Sequence, residues 1–336
     1  MSGAAPTAIA PRLLEDALGR RLHYLRLSLT ERCNFRCVYC LPEGSEAAAG
    51  ADPLTLPEIR RLVRAFADLG FWKVRLTGGE PTVRRDVAEI VRAVRETPGV
   101  RKVGLTTNGY RLHALAADLR DAGLSSINVS LDSLEPERFR AVTGNARPER
   151  VVAGIEAALA ARIPVVKVNV VLLRGLDEPE VLRFLEWTRA VPLRIRFIEL
   201  METGDNRDFF ARARLQAGAV RRLLEARGWS QLARTRLDGP AVEYGHPDQA
   251  GLVGIISAYD EGFCETCNRL RVTSRGALRT CLFGDEEVPL RDVLQSDADR
   301  EALVERVRAA VARKPASHLL QLGRCGTTRH LAATGG

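Results

Sequence analysis

Six of the chain's seven cysteines fall into two trios whose spacing suits metal–sulfur chemistry. Cys33, Cys37 and Cys40 share one short loop, Cys33-Asn34-Phe35-Arg36-Cys37-Val38-Tyr39-Cys40, and Cys264, Cys267 and Cys281 form a second group near the C-terminus. A C-x3-C-x2-C loop offers three thiolates where a cubane iron–sulfur cluster has four irons, so one iron is left open; ordinary electron-transfer clusters use four cysteines. An open corner is what binds a small molecule, as at a catalytic zinc. The other readings of the loop are a structural zinc site that borrows a ligand from elsewhere and plain core cysteines. For the second trio a zinc site is again an alternative, because C-x2-C beside a hairpin is common there. His246, in Tyr244-Gly245-His246-Pro247, is the nearest upstream histidine that could complete it, although a solvated loop histidine is the simpler reading. Cys325, in Gly323-Arg324-Cys325-Gly326, has no partner in this scheme and reads as a structural or free thiol. Two triads and a single are a poor disulfide framework, so the expected compartment is reducing.

The elements that must carry these loops alternate. Strand-like runs at Tyr24 to Thr30, Lys73 to Thr77, Lys102 to Thr107, Ser126 to Leu131, Val165 to Leu172 and Arg194 to Leu200 are separated by amphipathic stretches such as Pro57 to Leu69 and Asp86 to Arg95. This is a βα series. Pro57-Glu58 opens one helix, Gly70 and Gly123 follow the ends of two others, and Pro179 sits in a first turn, in line with the usual punctuation of helices. Beyond Met201 come further helices, a Gly/Pro-bearing stretch from Asp238 to Gly254, and two strands, Arg269 to Thr273 and Ala277 to Cys281, around Ser274-Arg275-Gly276. A hairpin there folds Cys281 back towards Cys264 and Cys267. A long amphipathic helix is expected over Asp297 to Arg313.

Each strand has a polar face. Arg26, Ser28 and Thr30 oppose Leu25, Leu27 and Leu29; Lys73, Arg75 and Thr77 oppose Val74 and Leu76; Asn128, Ser130 and Asp132 oppose Ile127, Val129 and Leu131; Lys167 and Asn169 oppose Val166, Val168 and Val170. A parallel sheet covered on both faces reads as continuous apolar runs, so the polar face must line an interior. An antiparallel sheet with one wet face is the alternative; the intervening helices argue for parallel crossovers. A lumen lined with lysine and arginine is costly unless an anionic ligand or water fills it.

Composition is compatible with all of this. The chain has 336 residues, 46% hydrophobic and 27% charged, enough for one large domain or a barrel with an appendage. Its net charge of +8 is carried mostly by arginine and fits an anionic ligand, nucleic acid or a membrane surface equally. A zinc-stabilised nucleic-acid binder would fit the charge and the C-x2-C pair. With 5% aromatic residues, however, the chain shows no stacking platform or recognition-helix motif. Residues 1–12 lack the pattern of a secretory signal, and no run approaches the roughly 20 apolar residues of a membrane span. A cytoplasmic protein with a frayed N-terminus is expected, with no membrane or nucleic-acid partner.

The first cysteine loop, with the aromatic Tyr39 before its last cysteine, and Thr77-Gly78-Gly79-Glu80-Pro81 further on resemble the signature segments of the radical S-adenosylmethionine (SAM) superfamily. Over residues 20 to 336 the similarity narrows to the GTP 3′,8-cyclase family of molybdenum cofactor biosynthesis. It is carried by Arg26-Leu27-Ser28, Lys73-Val74-Arg75-Leu76, Leu105-Thr106-Thr107-Asn108-Gly109, Asn128-Val129-Ser130-Leu131-Asp132, Lys167-Val168-Asn169, Phe197-Ile198-Glu199-Leu200-Met201, Asn268-Arg269-Leu270-Arg271 beside the second trio, and the terminal Gly335-Gly336. The chain departs from the usual ending in having Ala333-Thr334 before the glycines, where the family commonly has an isoleucine.

The resemblance implies an α/β fold, a partial (βα)6 barrel of the TIM type over 13–237. It also implies a disordered stretch at 1–12 and a C-terminal region over 238–336 that carries a second cluster, GTP contacts and a di-glycine tail reaching the active site. It implies two 4Fe-4S clusters, one on Cys33, Cys37 and Cys40 that chelates SAM and one on Cys264, Cys267 and Cys281 whose open iron faces guanine. SAM contacts fall on Tyr39, Gly79, Ser130 and Met201. GTP contacts fall on Arg26, Arg75, Thr106, Lys167, Arg269, Leu270 and Arg271, with Lys73 and Arg196 as further cations, and Arg269 and Arg271 count also as catalytic. The implied reaction is that of a lyase. Reductive cleavage of SAM gives a 5′-deoxyadenosyl radical that takes the ribose 3′ hydrogen of GTP, and the sugar carbon then bonds to guanine carbon 8. One electron and one proton complete (8S)-3′,8-cyclo-7,8-dihydroguanosine 5′-triphosphate. Implied partners are an electron donor such as flavodoxin or ferredoxin and a downstream cyclic pyranopterin monophosphate synthase, the chain itself being a monomer or homodimer.

Overall fold

A computed structural model describes residues 13–44, 52–235 and 238–335. The N-terminal stretch 1–12 and Gly336 lie outside the described residues.

Six strands run parallel in chain order: β1 (Tyr24–Ser28), β2 (Lys73–Thr77), β3 (Lys102–Thr107), β4 (Ser126–Ser130), β5 (Val166–Leu172) and β6 (Arg194–Glu199). Helices α1 (Leu56–Asp68), α2 (Val87–Arg95), α3 (Leu112–Asp121), α4 (Pro136–Thr143), α5 (Pro148–Ala160) and α6 (Glu178–Ala190) connect them, as parallel crossovers require. Two shorter helices, α7 (Arg207–Ala213) and α8 (Ala217–Ala226), follow β6.

The C-terminal region extends this sheet on both sides. After β7 (Val242–Gly245), β8 (Leu252–Ile256) pairs parallel with β6, while β9 (Arg269–Val272) pairs parallel with β1 and antiparallel with β10 (Ala277–Arg279). Among the described residues all ten belong to one twelve-stranded sheet that does not close on itself. The barrel is therefore open, as expected for a partial one, and the gap lies between the two C-terminal additions.

The period-two alternation decides which face is buried. Leu25, Leu27, Val74, Leu76, Val103, Leu105, Ile127, Val129, Val168 and Ile195 form one continuous apolar core with the inner faces of the helices. Truncating one of these, for instance Leu105→Ala, should cost about 2–5 kcal/mol.

Local signals explain the helix ends. Thr55 caps α1 in a reciprocal box with Glu58, so the helix starts at Leu56, one residue before the Pro57 expected to open it. Glu58 also accepts from Arg291 (2.9 Å) and Gln295 (3.0 Å), which ties the C-terminal region to α1. The helix expected over 297–313 is split: Ser296 caps a tight 3-10 turn at Asp297–Asp299, and α9 runs from Arg300 to Ala312.

Candidate active site

Register places the polar residues of neighbouring strands side by side. Arg271, Arg26, Arg75 and Gly104 are level across β9, β1, β2 and β3, and one step away Arg269, Tyr24 and Lys73 form a second row. Further round, Thr106, Asn128 and Lys167 share one row, and Ser130, Asn169 and Arg196 another. These side chains line one cavity of about 2090 Å³ including its open mouth, together with all six trio cysteines, Tyr39, Gly79 and Met201. Leu270 does not line it. Its side chain faces the other way, is 0% exposed and belongs to the apolar core.

Several of these cations are fixed by oxygen acceptors other than carboxylates. The Arg75 guanidinium donates to Tyr24 Oη (2.6 Å), the Leu105 carbonyl (3.0 Å) and Ser126 Oγ (3.2 Å). Gly104 gives it room, because a Cβ there would lie 2.8 Å from the Arg75 Cζ. Arg196 donates to Asn169 Oδ1 (2.6 Å), and Lys73 Nζ stands 4.4 Å over the Tyr24 ring. Among the described residues Lys73, Arg75, Arg196, Arg269 and Arg271 make no salt bridge, and Lys167 has Glu243 at 3.9 Å. Burial, reinforced by the neighbouring arginines, brings Lys167 down to about 7 and Arg196 to about 9. Burial also lowers Arg26 to about 10, and Arg271 falls well below the ordinary guanidinium value. Tyr24 is also lowered, which for a phenol favours the charged form: although buried, it drops to about 6 under Arg75, Arg26 and Lys73. Mutually repelling buried cations of this kind favour a polyanion, and arginine forks suit phosphate oxygens.

The first trio sits in a dry, acidic corner. Burial pushes Cys33 up to about 11 and Cys40 up to about 12, and holds Cys37 well above the ordinary thiol value. Asp132, raised to about 6 by burial, accepts from Tyr39 Oη (2.7 Å) and from the Val171 N–H (2.8 Å). Glu80 is 0% exposed and accepts from Thr82 N, Thr82 Oγ1, Thr107 Oγ1 and Asn108 N. Its preceding glycines let the loop touch the cysteine loop: a Cβ at Gly78, where φ is +140°, would lie 2.3 Å from the Thr30 carbonyl, and one at Gly79 2.4 Å from the Arg32 carbonyl.

The second trio sits among donors. Burial opposes ionisation of Cys264 and Cys267, yet His318 and Ser317 bring Cys264 down to about 7, and Arg269 and Lys314 bring Cys267 to about 6. Cys281 is raised by burial and feels the other two thiols, as the hairpin predicted. Lys314 Nζ donates to the Thr280 carbonyl, and Arg20 donates to the Cys264 carbonyl (3.1 Å). The histidine considered for a zinc site, His246, lies elsewhere, its ring tilted against that of Trp229 at 5.5 Å.

Each trio offers the cavity three thiols, the donor set of a cubane with one iron left open. Among the described residues no group of three His, Cys, Asp or Glu closes tightly enough to hold one metal ion. Three thiolates bound to three different irons of a cubane need a wider spread. All six thiols are half-buried, unbonded to one another and open to the cavity.

Sequence reasoning missed the residues that hold these groups in place. Asn206 donates from Nδ2 to the carbonyls of both Tyr39 (3.1 Å) and Met201 (3.1 Å). Asp132, His318, Lys314 and Arg20 were likewise not singled out as positioning groups. The C-terminal tail lies in the same cavity: the Gly335 carbonyl accepts from Arg26 (2.9 Å) and Arg271 (2.5 Å), and a Cβ at Gly335, where φ is +66°, would lie 2.0 Å from Thr77 Cγ2.

Residues 27–188 match the family model "Radical SAM superfamily" and residues 193–320 match "Molybdenum Cofactor Synthesis C". The chain is 50% identical over 329 residues to a GTP 3′,8-cyclase of Synechococcus elongatus, covering 96% of this chain and 99% of that one. It is 50% identical to one of Stenotrophomonas maltophilia and 47% identical to one of Vibrio parahaemolyticus, at 96% coverage of this chain and 99% and 97% of theirs. The chain belongs to the GTP 3′,8-cyclase family of the radical SAM superfamily. Its fold is shared with Streptococcus suis SuiB, solved bound to S-adenosylmethionine (TM-score 0.60, 15% identity, 84% of this chain and 68% of that one) and bound to the precursor peptide SuiA (TM-score 0.61, 13% identity, 94% and 77%). Among the described residues no helix is long and apolar enough to cross a membrane.

Proposed function

We propose that this chain is a GTP 3′,8-cyclase that acts in molybdenum cofactor synthesis. The observation that carries the reading is a single cavity with a cysteine trio at two places and rows of buried cations between them. When bound at Cys33, Cys37 and Cys40, a 4Fe-4S cluster supplies the electron that splits SAM into methionine and a 5′-deoxyadenosyl radical. Tyr39, Gly79, Ser130 and Met201 hold SAM, and the Asn206 clamp keeps two of them in register.

Arg26, Lys73, Arg75, Lys167 and Arg196 take the triphosphate, while Thr106, Arg269, Arg271 and the Leu270 backbone orient the nucleoside. Cys264, Cys267 and Cys281 would hold the second cluster, which would supply an anchor for the guanine. What these residues must achieve is position. The ribose 3′ carbon has to meet the 5′ carbon that takes its hydrogen and then close on guanine carbon 8, and ångström-scale drift lets a reactive radical abstract elsewhere. The tail, through Gly335, closes the cavity beside Arg26 and Arg271. A flavodoxin or ferredoxin as electron donor, a cyclic pyranopterin monophosphate synthase as consumer of the product, a monomeric or homodimeric state and a cytoplasmic location belong to the same reading.

Anaerobically reconstituted protein with dithionite, SAM and GTP should yield 5′-deoxyadenosine and a cyclised nucleotide in a GTP-dependent manner. Formation of 5′-deoxyadenosine at one rate with or without GTP, and intact GTP at the end, would sink the reading.

A further inference from the structure

One of the buried polar side-chain atoms without a hydrogen-bond partner among the described residues stands at the second trio. His318 is 6% exposed, its ring lies 5.7 Å from that of Phe263 and 5.8 Å from that of Phe283, and it lines the cavity with Cys264, Cys267 and Cys281. Nδ1 accepts from the Leu320 N–H at 3.4 Å, which leaves the ring proton on Nε2. Nε2 is fully buried and has no hydrogen-bond partner among the described residues. The two rings beside it are apolar, and the side chain acts on Cys264 as a hydrogen-bond donor. A buried N–H without an acceptor is costly, and the acceptor this ring acts on is the Cys264 sulfur, one of the three that would hold the second cluster. Thiolate and sulfide sulfurs are acceptors, and hydrogen bonds to cluster sulfurs are among the factors that set a cluster's potential.

We propose that His318 is a positioning residue for the second cluster: its Nε2–H donates to a sulfur of the cluster held by Cys264, Cys267 and Cys281, and by stabilising the electron-rich state makes that cluster easier to reduce. The inference rests on the proposed second cluster. At the first trio no histidine plays this part: Tyr39 gives its proton to Asp132, and the side-chain donor acting on Cys33 is the Asn108 amide.

The test uses full-length holoprotein without GTP. Wild type, His318→Phe and His318→Gln are compared by redox titration followed by electron paramagnetic resonance. In His318→Phe the ratio of reduced to oxidised second cluster at a fixed potential should fall about tenfold, a shift of about 59 mV to lower potential for a one-electron couple. The first cluster should be unmoved, and His318→Gln, which keeps an N–H donor, should recover most of the shift. An unchanged second potential in His318→Phe, or equal shifts at both clusters, overturns the proposal. If the Phe variant fails to assemble the cluster, wild-type protein labelled with [15N]histidine decides. A nitrogen coupling on the reduced second cluster's signal supports the bond, and its absence in a sample that shows that cluster overturns it. A wild-type sample with a single cluster type would instead count against the function proposed above and so remove this inference with it.

Discussion

Around Cys33, Cys37 and Cys40 the buried ionisable neighbours are the carboxyls of Glu80 and Asp132, whereas around Cys264 and Cys267 they are Arg269, Lys314, Arg20 and His318. Two cysteine trios of equal size in one cavity therefore sit in opposite fields. Negative neighbours and burial disfavour an added electron and so push a cluster's potential down; cations and N–H donors do the reverse. The acidic corner suits a strong one-electron reductant, and the cationic corner suits a site that holds an electron-rich ligand. The trios are equal in size, and much of the difference between their fields is made by residues remote in the chain, such as Glu80, Asp132, Arg20, Lys314 and His318.

The largest effect that would break this comparison is loss of one trio. Cys33→Ala should bring 5′-deoxyadenosine formation to background, while Cys281→Ala should keep reductive SAM cleavage and yield no cyclised GTP. Iron analysis should find about eight atoms per wild-type chain and about four in either variant. Cyclisation retained in Cys281→Ala would show that the two sites do not divide the work as argued.

Metal-free protein sharpens the contrast directly. At pH 7 Cys267, near 6, is mostly thiolate and Cys264, near 7, about half, whereas Cys33 near 11 and Cys40 near 12 remain thiols. Exposure is similar for both trios, so alkylation followed by peptide mass spectrometry should label Cys264 and Cys267 about thirtyfold faster or more, the larger thiolate fraction outweighing the lower nucleophilicity of each thiolate. Equal rates would mean the fields are not opposite.

The cations between the trios give a smaller, pH-dependent effect. Lys167 is held near 7 in the free protein and should return towards an ordinary lysine value of about 10.4 beside a triphosphate. The complex then holds more protons than its components, so GTP affinity should fall as pH rises above 7, by up to about tenfold per unit from this group. Lys167→Arg, which stays charged, should flatten that slope in calorimetry; an unchanged slope would place the proton uptake elsewhere.

Smallest is Asn206→Ala, which frees the Tyr39 and Met201 carbonyls. Two lost hydrogen bonds of about 0.5–1.5 kcal/mol each should raise the KM for SAM several-fold or more and leave the GTP affinity alone. A matching loss for GTP would show that the clamp serves the whole cavity and not the first site.

Much of this site is visible in the chain because its signals are local. Strand boundaries fall within a residue or two of the alternating runs, and the polar partners of the apolar residues line the cavity as the alternation implies. Leu270 shows how strict the alternation is. Between Arg269 and Arg271 it had to face the core, although the Asn268-Arg269-Leu270-Arg271 run had placed it with the GTP contacts. The Asn206 clamp had no comparable signal, since an asparagine before a short helix ordinarily reads as a cap.

The sequence by itself determined the two cysteine trios, the βα order and the polar strand faces, because thiolate spacing and the two-residue period are set by neighbouring residues. Only the tertiary structure decided that β9 lies beside β1, which brings Arg271 level with Arg26, and that Arg20, Lys314 and His318 converge on the second trio. Those placements depend on which distant segments share a buried face. No local periodicity encodes that pairing, because it follows from closing one apolar core around a sheet that stays open on one side.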